Sequence, residues 1–466
     1  MRAKNKTIFD DFELNGIWWL PNEETKYKGT LIYSNDGISL KIIEERNPFN
    51  GNKLPIILGN TDKGLVTLID GFVSSANKTL YTSEGSINIS TIKLVFKKFI
   101  LGERYDTLEK VKFDYLKVKF TGLEWWYLAD PFIYDHEKGG IVLDMDTFTE
   151  FNVRVDSLDA FIGSSYTIVE SSKMFFNKKL NFIPYIRIKP DEPQSLEWYE
   201  KVIWNLKNLL VLLIKSPVQI ESFTANIADF RSINIYPRRL EDKKDLNLNW
   251  VELEPLSLPS LKADIDKIFN NWFDSRAKST QLLYSNTIIS EHKMMVEDIF
   301  INFTKALESY HRDCTEQGTF IDKDSYNSVV EKMIEAVEGD ITNDLKSKLK
   351  ATLKYANEFG FQRRIKELVK DLPEKLNVEI DVLRDRQKFA DKVRNTRDQL
   401  THYSDTITNI FNFSEMVYVN KLLRILTMVY LLRDLGIKDE VILEAIFNDY
   451  SNFGVIKKIN EVLVIN

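Results

Sequence analysis

The sequence predicts an α+β multidomain protein, with a β-rich N-terminal region (a sandwich or curled barrel) followed by an all-α helical bundle. Three observations carry this. Before residue 255, short runs of β-branched and aromatic residues alternate with Gly, Asn and Asp turns. After it, apolar residues recur at helical spacing. Between them, Pro255 and Pro259 lie in a loop, Glu252 to Ser260, that reads as the boundary. The expected divisions are a β-rich region over 1–255, with two subdomains breaking near 121, a linker over 256–274 and a bundle over 275–466.

The strands follow in order. Residues 29–33, 37–43, 87–96 and 113–120 read as strands, with Asn35-Asp36-Gly37 and Asn50-Gly51 as hairpin turns. A second β-rich block follows Trp125-Trp126, with Gly139-Gly140 turning before 141–143 and further strands at 166–169, 182–188, 218–224 and 233–236. One long helix, 195–215, interrupts the pattern. Ser195 is its N-cap, Glu197 lies in its first turn and Pro217 follows its end. Its stripe of Trp198, Val202, Leu206, Leu209, Leu210 and Leu213 reads as core packing rather than a ligand site. Adjacent residues on a strand point to opposite faces, so at least one member of Trp18-Trp19 and of Trp125-Trp126 is expected in the core.

In the second half, three sets fall on helix faces: Phe300-Phe303-Leu307-Tyr310, Val329-Met333-Val337 and Leu422-Ile425-Val429-Leu432. Gly436 after Leu435 ends one helix, and 443–447 starts another apolar face.

Composition narrows the function. Apolar residues at 44% and charged residues at 28% describe a soluble globular chain. A net charge of −6 argues against a protein that coats nucleic acid with a broad basic surface, but leaves room for a local positive pocket. The single cysteine, Cys314, excludes an internal disulfide framework and fits a reducing cytoplasm. Met1 to Lys6 is followed by Asp10-Asp11 instead of an apolar run, which predicts no signal peptide. The most apolar stretch, 209–214, is too short to span a bilayer, so a cytoplasmic protein without a membrane partner is expected.

Most catalytic signatures are missing. There is no Walker A loop, GxGxxG, CxxC pair or HExxH. Glu308 and His311 form one E-x-x-H, whereas carboxylate-bridged metal bundles need two, so a polar helix end is the expected reading and no metal or cofactor is predicted.

One arrangement stands out among the four histidines (His136, His292, His311, His402). Arg397 and His402 are separated by four residues at the end of a charged helical run, before the turn-like Tyr403-Ser404-Asp405. Imidazole moves protons near neutral pH, and guanidinium is a permanent forked cation suited to phosphate. Metal-free RNA cleavage can be run by those two groups, one moving the proton and the other stabilising the phosphoryl charge. The spacing equally fits a surface arginine beside a histidine at a helix C-terminus, where a cation suits the dipole. The surrounding Arg384, Arg386, Lys388, Lys392 and Arg394 alternate with Asp381, Asp385, Asp391 and Asp398, as a salt-bridged helix face would.

Several stretches together resemble the HEPN superfamily of helical ribonucleases, specifically the Apea-like group of bacterial anti-phage defence proteins. Residues 303–312 are similar to the group's first long helix, 353–369 to its middle helix pair and 393–403 to its active-site segment. There, the residue after the arginine is often Asn, and here it is Asp398. Gly16-Ile-Trp-Trp-Leu-Pro21, Lys28 to Tyr33 and Gly122-Leu-Glu-Trp-Trp126 resemble the accompanying N-terminal domain.

The resemblance implies a metal-independent endoribonuclease that leaves a 2′,3′-cyclic phosphate. Arg397 and His402 would be catalytic, with Asp398, Arg394 and Glu308 supporting them. It also implies a homodimer through the bundle, RNA as substrate (structured RNAs such as tRNA among the candidates), a phage-derived trigger and a sensing or regulatory N-terminal region. The alternative is a catalytically silent HEPN scaffold for RNA binding or dimerisation. A tryptophan-rich carbohydrate protein is a third reading, without a recognisable carboxylate pair. Geometry adds one expectation: residues five apart on a continuous helix diverge by about 140°. The helix should therefore end near Thr401 to Asp405, with His402 within a residue or two of its C-terminus.

Overall fold

The structure is a computed structural model that describes the whole chain except residues 1–5, 45–46, 50–52, 83–84, 129–130, 138, 175–176, 228–230, 240–241, 244–255, 275–281, 284, 286–293, 315–317, 338, 340, 403–405, 448–449 and 465–466. The turn at Asn50-Gly51, His292, Pro255 and Tyr403 to Asp405 lie outside the described residues. The chain divides into two units, Met1–Leu248 with Pro255–Phe273, and Asn249–Glu254 with Asp274–Asn466.

In the first unit, six strands form a closed barrel: β1 (Phe12–Trp19), β2 (Tyr27–Ser34), β3 (Gly37–Glu44), β4 (Leu54–Thr61), β5 (Gly64–Thr82) and β6 (Gly85–Leu101). Their order is β6-β3-β2-β1-β4-β5, and β5 pairs back onto β6. Closure removes the free edges that such long strands would otherwise expose. Alternate side chains fill the interior, among them Leu14, Trp18, Leu31, Tyr33, Leu40, Leu94 and Phe96. Trp18 is fully buried and donates its indole N–H to the Gly29 carbonyl at 3.0 Å. Gly59 lies opposite Trp18 in the β1–β4 register, and a Cβ there would come within 2.3 Å of the indole ring. The neighbouring Trp19 faces outward under Lys26 and Arg104, so the two tryptophans divide between faces as alternation requires.

Strand β6 also joins a second run of strands: β7 (Tyr115–Phe120), β8 (Asn152–Val155), β9 (Ala160–Met174), β10 (Asn177–Pro190), β11 (Ile220–Ile227) and β12 (Arg231–Pro237). Their order is β8-β9-β10-β7-β11-β12, with β12 against β6 at 98–101. The expected break near 121 is therefore not a boundary. β7 already belongs to the second run, and β6 is shared by both. Trp125 and Trp126 occupy a short helix, α1 (Leu123–Tyr127), not a strand, and Trp126 is the core member.

Helix α2 (Leu196–Ile214) follows the sequence closely. The Ser195 hydroxyl accepts from the Trp198 N–H, and Lys215 closes the helix in the left-handed region. Its buried stripe lies against β7, whose Leu116, Val118 and Phe120 point the same way.

Residues 256–274, expected as a linker, are folded. Helices α3 (Leu258–Leu261) and α4 (Ile265–Asp274) bury Leu258, Leu261, Ile265, Ile268 and Phe269 within the first unit. Asn270 donates to the Arg154 carbonyl, and Phe269 packs on Phe151. Two prolines marked the start of a new helical period, but that period belongs to a cap on the preceding domain.

The second unit holds α5 (Val296–Cys314), α6 (Lys323–Ala336), α7 (Asn343–Leu353), α8 (Phe361–Asp371), α9 (Glu374–Glu379), α10 (Arg386–His402), α11 (Phe413–Asp434), α12 (Asp439–Phe447) and α13 (Tyr450–Val462). Helices α5, α8, α10 and α11 form the core, burying Phe300, Phe303 and Leu307, Ile365 and Leu368, Val393, and Leu422 with Val429. Polar contacts fix their registers. Tyr310 donates to Asp434 at 2.9 Å, and Tyr430 to the Leu368 carbonyl at 2.5 Å. α11 starts with a reciprocal capping box between Asn412 and Glu415. It ends at Gly436, whose φ of 82° allows Gly436 N–H and Ile437 N–H to bond back to the helix.

The Val329-Met333-Val337 face is not core. Val329 and Met333 are 43% and 50% exposed, and within α6 it is Ile334 that is buried. Periodicity identifies an apolar stripe, but not which stripe the tertiary fold covers.

Candidate active site on the helical unit

Helix α10 begins where the Asp385 carboxylate accepts the Lys388 N–H, and it runs unbroken to His402. The buried Thr396 and the more exposed Asn395 tie down the chain beyond it. The Thr396 hydroxyl accepts the Phe411 N–H at 2.9 Å, and Asn395 donates to the Thr408 carbonyl at 3.0 Å. The end of α10 is thus held between its own last turns and the entry to α11.

Arg397 faces inward and is about one-quarter exposed. Its Nη2 donates to Glu308 Oε2 at 2.8 Å, and its guanidinium lies 4.3 Å from the centre of the Phe361 ring. Three helices (α5, α8 and α10) therefore fix one cation. Glu308 also meets Arg312 at 3.4 Å, and Arg312 reaches Glu358 at 3.7 Å. His402 is exposed at the last described residue of the helix. The helix does not end between Arg397 and His402, so within one chain the two side chains leave in different directions.

The remaining predicted residues separate. Glu308 is brought to Arg397. Arg394 instead donates to Gln362 at 3.2 Å and to Asn395 at 2.9 Å. Among the described residues, no hydrogen bond or ion pair joins Asp398 to Arg397.

Sequence reading missed the buried half of this cluster. His311, 3% exposed, has Nε2 at 2.9 Å from Glu367 and Nδ1 at 3.3 Å from Arg364. Arg364 is 1% exposed and donates to the Phe359 carbonyl at 2.8 Å and to Glu358 at 3.4 Å. Arginine has only donors, so His311 Nδ1 must accept and the proton sits on Nε2, directed at Glu367. Burial holds the His311 pKa below its ordinary value, and Glu367 opposes that only in part. The Glu308-x-x-His311 spacing had pointed to His311, but as a polar helix end; its burial and its partners Glu367 and Arg364 come from another helix and carry no sequence signal beyond the ordinary Arg363–Glu367 spacing of four.

Two family models match the chain. Residues 13–272 match ApeA N-terminal domain 1, and residues 301–441 match Apea-like HEPN. The chain is an ApeA-type HEPN protein.

The first match extends to residue 272, within α4, so the ApeA N-terminal domain takes in all but the last two residues of the 256–274 segment. The HEPN match spans α5 to the start of α12 and contains Glu308, His311, Arg364, Arg397 and His402. Membership makes this a HEPN-domain protein of the anti-phage defence class. No curated protein and no solved structure matches the chain. Among the described residues, no group of three or more His, Cys, Asp or Glu could hold a metal ion, and no helix is long and apolar enough to cross a membrane.

Proposed function

We propose that the helical unit is a metal-independent endoribonuclease acting in anti-phage defence, with the N-terminal unit as its sensor or regulator. The observation that supports it best is Arg397, held against Glu308 and Phe361 five residues before an exposed His402. In the proposed reaction a ribose 2′-hydroxyl attacks the adjacent phosphorus. His402 takes or gives the proton, the P–O5′ bond breaks, and the 5′ oxygen leaves protonated. Arg397 offers its remaining N–H groups to the charge gathering on the phosphoryl oxygens. The products are a 2′,3′-cyclic phosphate and a 5′-hydroxyl.

Glu308 acts as a positioning residue, orienting the guanidinium without touching RNA. Because Arg397 and His402 diverge by about 140° on one continuous helix, a homodimer that turns two α10 ends into one cleft would supply the missing half from a second copy. Structured RNA such as tRNA and a phage-derived trigger are the partners this reading carries.

The ion pair also favours a second reading. A carboxylate 2.8 Å from Arg397 neutralises much of its charge, as a silent scaffold would tolerate. An RNA cleavage assay in EDTA with end-group analysis separates the two. Cleavage leaving cyclic phosphate ends, and lost in His402→Ala and Arg397→Ala, is expected. Cleavage that survives in both variants means the site is elsewhere. An intact defence phenotype in folded His402→Ala selects the scaffold.

A further inference from the structure

Residues 318–321, between α5 and α6, run beside 357–359, which lead into α8. The Phe320 N–H donates to the Asn357 carbonyl and the Phe359 N–H to the Gly318 carbonyl, both at 2.9 Å, and Thr319 bridges Glu358. The buried Asn357 amide closes the clamp. Its oxygen accepts the Ile321 N–H at 3.1 Å, and its nitrogen donates to the Ile321 carbonyl at 2.7 Å. Phe320 is nevertheless 58% exposed. Single exposed apolar side chains are ordinary. One whose backbone is already fixed, however, loses little further freedom when a ligand settles on it.

The ring also has a cation beside it. Phe320 meets the buried Phe359 edge-on, at 5.2 Å between centres and 76° between planes. The Arg363 guanidinium lies 4.8 Å from the centre of Phe320 and 3.5 Å from that of Phe359. Its Nε donates to Glu367 at 3.1 Å, and among the described residues its two Nη atoms make no hydrogen bond. An aromatic surface edged by a guanidinium with spare donors suits a base joined to a phosphate. The platform is continuous with the surroundings of Arg397. Glu358, next to Phe359 in the chain, contacts Arg312 and Arg364, and Arg312 contacts the Glu308 that holds Arg397. This run sets Arg312, Arg363, Arg364 and Arg397 against three glutamates, so it is locally positive in a chain of net charge −6.

We propose that Phe320 and Arg363 form a base-stacking subsite for an unpaired nucleotide of the RNA cleaved at Arg397. This rests on the ribonuclease reading and gives it a way to hold its substrate. The base lies on the open surface of the Phe320 ring. Arg363 stays against the ring and turns its Nη atoms to the adjoining phosphate. Stacking needs a base freed from pairing, so the subsite takes loops, bulges and unpaired ends rather than duplex. Every base has a face to offer, so the subsite tolerates base identity.

The test is fluorescence anisotropy of the full chain with two labelled 2′-O-methyl oligonucleotides, which lack the attacking hydroxyl and so bind without being cut. One carries adenine throughout, and the other has the same backbone without bases. Wild type should bind the adenine oligonucleotide about tenfold more tightly than the abasic one. Phe320→Leu should remove that preference and Phe320→Trp keep it, while Arg363→Gln should weaken the binding of both. Should Phe320→Leu fail to fold, Phe320→Trp gives a second readout. Its tryptophan fluorescence should be quenched by the adenine oligonucleotide, beyond any change in wild type, and not by the abasic one. Equal affinity of wild type for the two ligands, a preference that survives in Phe320→Leu, or no added quenching in Phe320→Trp overturns the proposal. Neither readout needs cleavage, so the two readings fail separately. Base preference in a chain that leaves RNA intact supports the subsite and counts against the nuclease; cleavage without base preference does the reverse.

Discussion

His311 sits between Glu367 and Arg364 with almost no access to water, and a second ring proton would set two donors against each other at Nδ1. Its pKa is lowered in the fold, so below an ordinary value of about 6.5 the unfolded chain binds a proton that the folded chain refuses. Stability of the helical unit should therefore decline as pH falls through that value towards the lower folded one. His311→Gln should flatten the decline, as read by melting temperature across the range. An unchanged slope in the variant would show that other groups cause it. Arg364 satisfies a carbonyl, a carboxylate and a ring nitrogen from one buried position. Arg364→Met should cost about 3 kcal/mol in denaturant unfolding, because its partners are left unmatched. Glu308→Gln keeps the shape but removes the charge that aims Arg397. RNA cleavage should fall about tenfold with Glu308→Asp recovering part of it; full activity in Glu308→Gln removes Glu308 from the positioning role.

Among the elements, α11 shows how much local chemistry decides. The Asn412–Glu415 capping box sets its start and Gly436 its end, and both signals are present in the sequence. Glu415 additionally accepts from Lys392 at 2.7 Å, so the cap also joins α11 to α10. Asn412→Ala should lower unfolding stability by about 1 kcal/mol; no measurable change would mean that packing of Phe411 on Phe300 carries the turn. Helix α6 is the contrary case. Its Val329-Met333 stripe has the same spacing as the buried Phe303-Leu307 stripe, yet it stays exposed. Spacing reports that a face is apolar, and only the neighbours decide whether it is covered.

Across the whole chain, the β-rich half and the helical half were legible because period-2 and period-3.6 patterns do not overlap. The hairpin at Asn35-Asp36-Gly37 and the Ser195 cap were legible for the same local reasons. A homodimer through the helical unit remains the expectation that completes the proposed site. Light scattering at micromolar concentration should give twice the monomer mass, and a monomer that cleaves RNA would refute the shared cleft.

The sequence by itself determined the two fold classes, most strands, the Ser195 cap of α2, the Gly436 stop of α11, and the candidate pair Arg397 and His402. Those depend on near neighbours along the chain. The tertiary structure alone decided that β6 serves both barrel and sheet, that 256–274 caps the first unit, that Glu308 meets Arg397, and that Phe320 meets Arg363. Each joins residues far apart in sequence, and burial and register, not local preference, choose such partners.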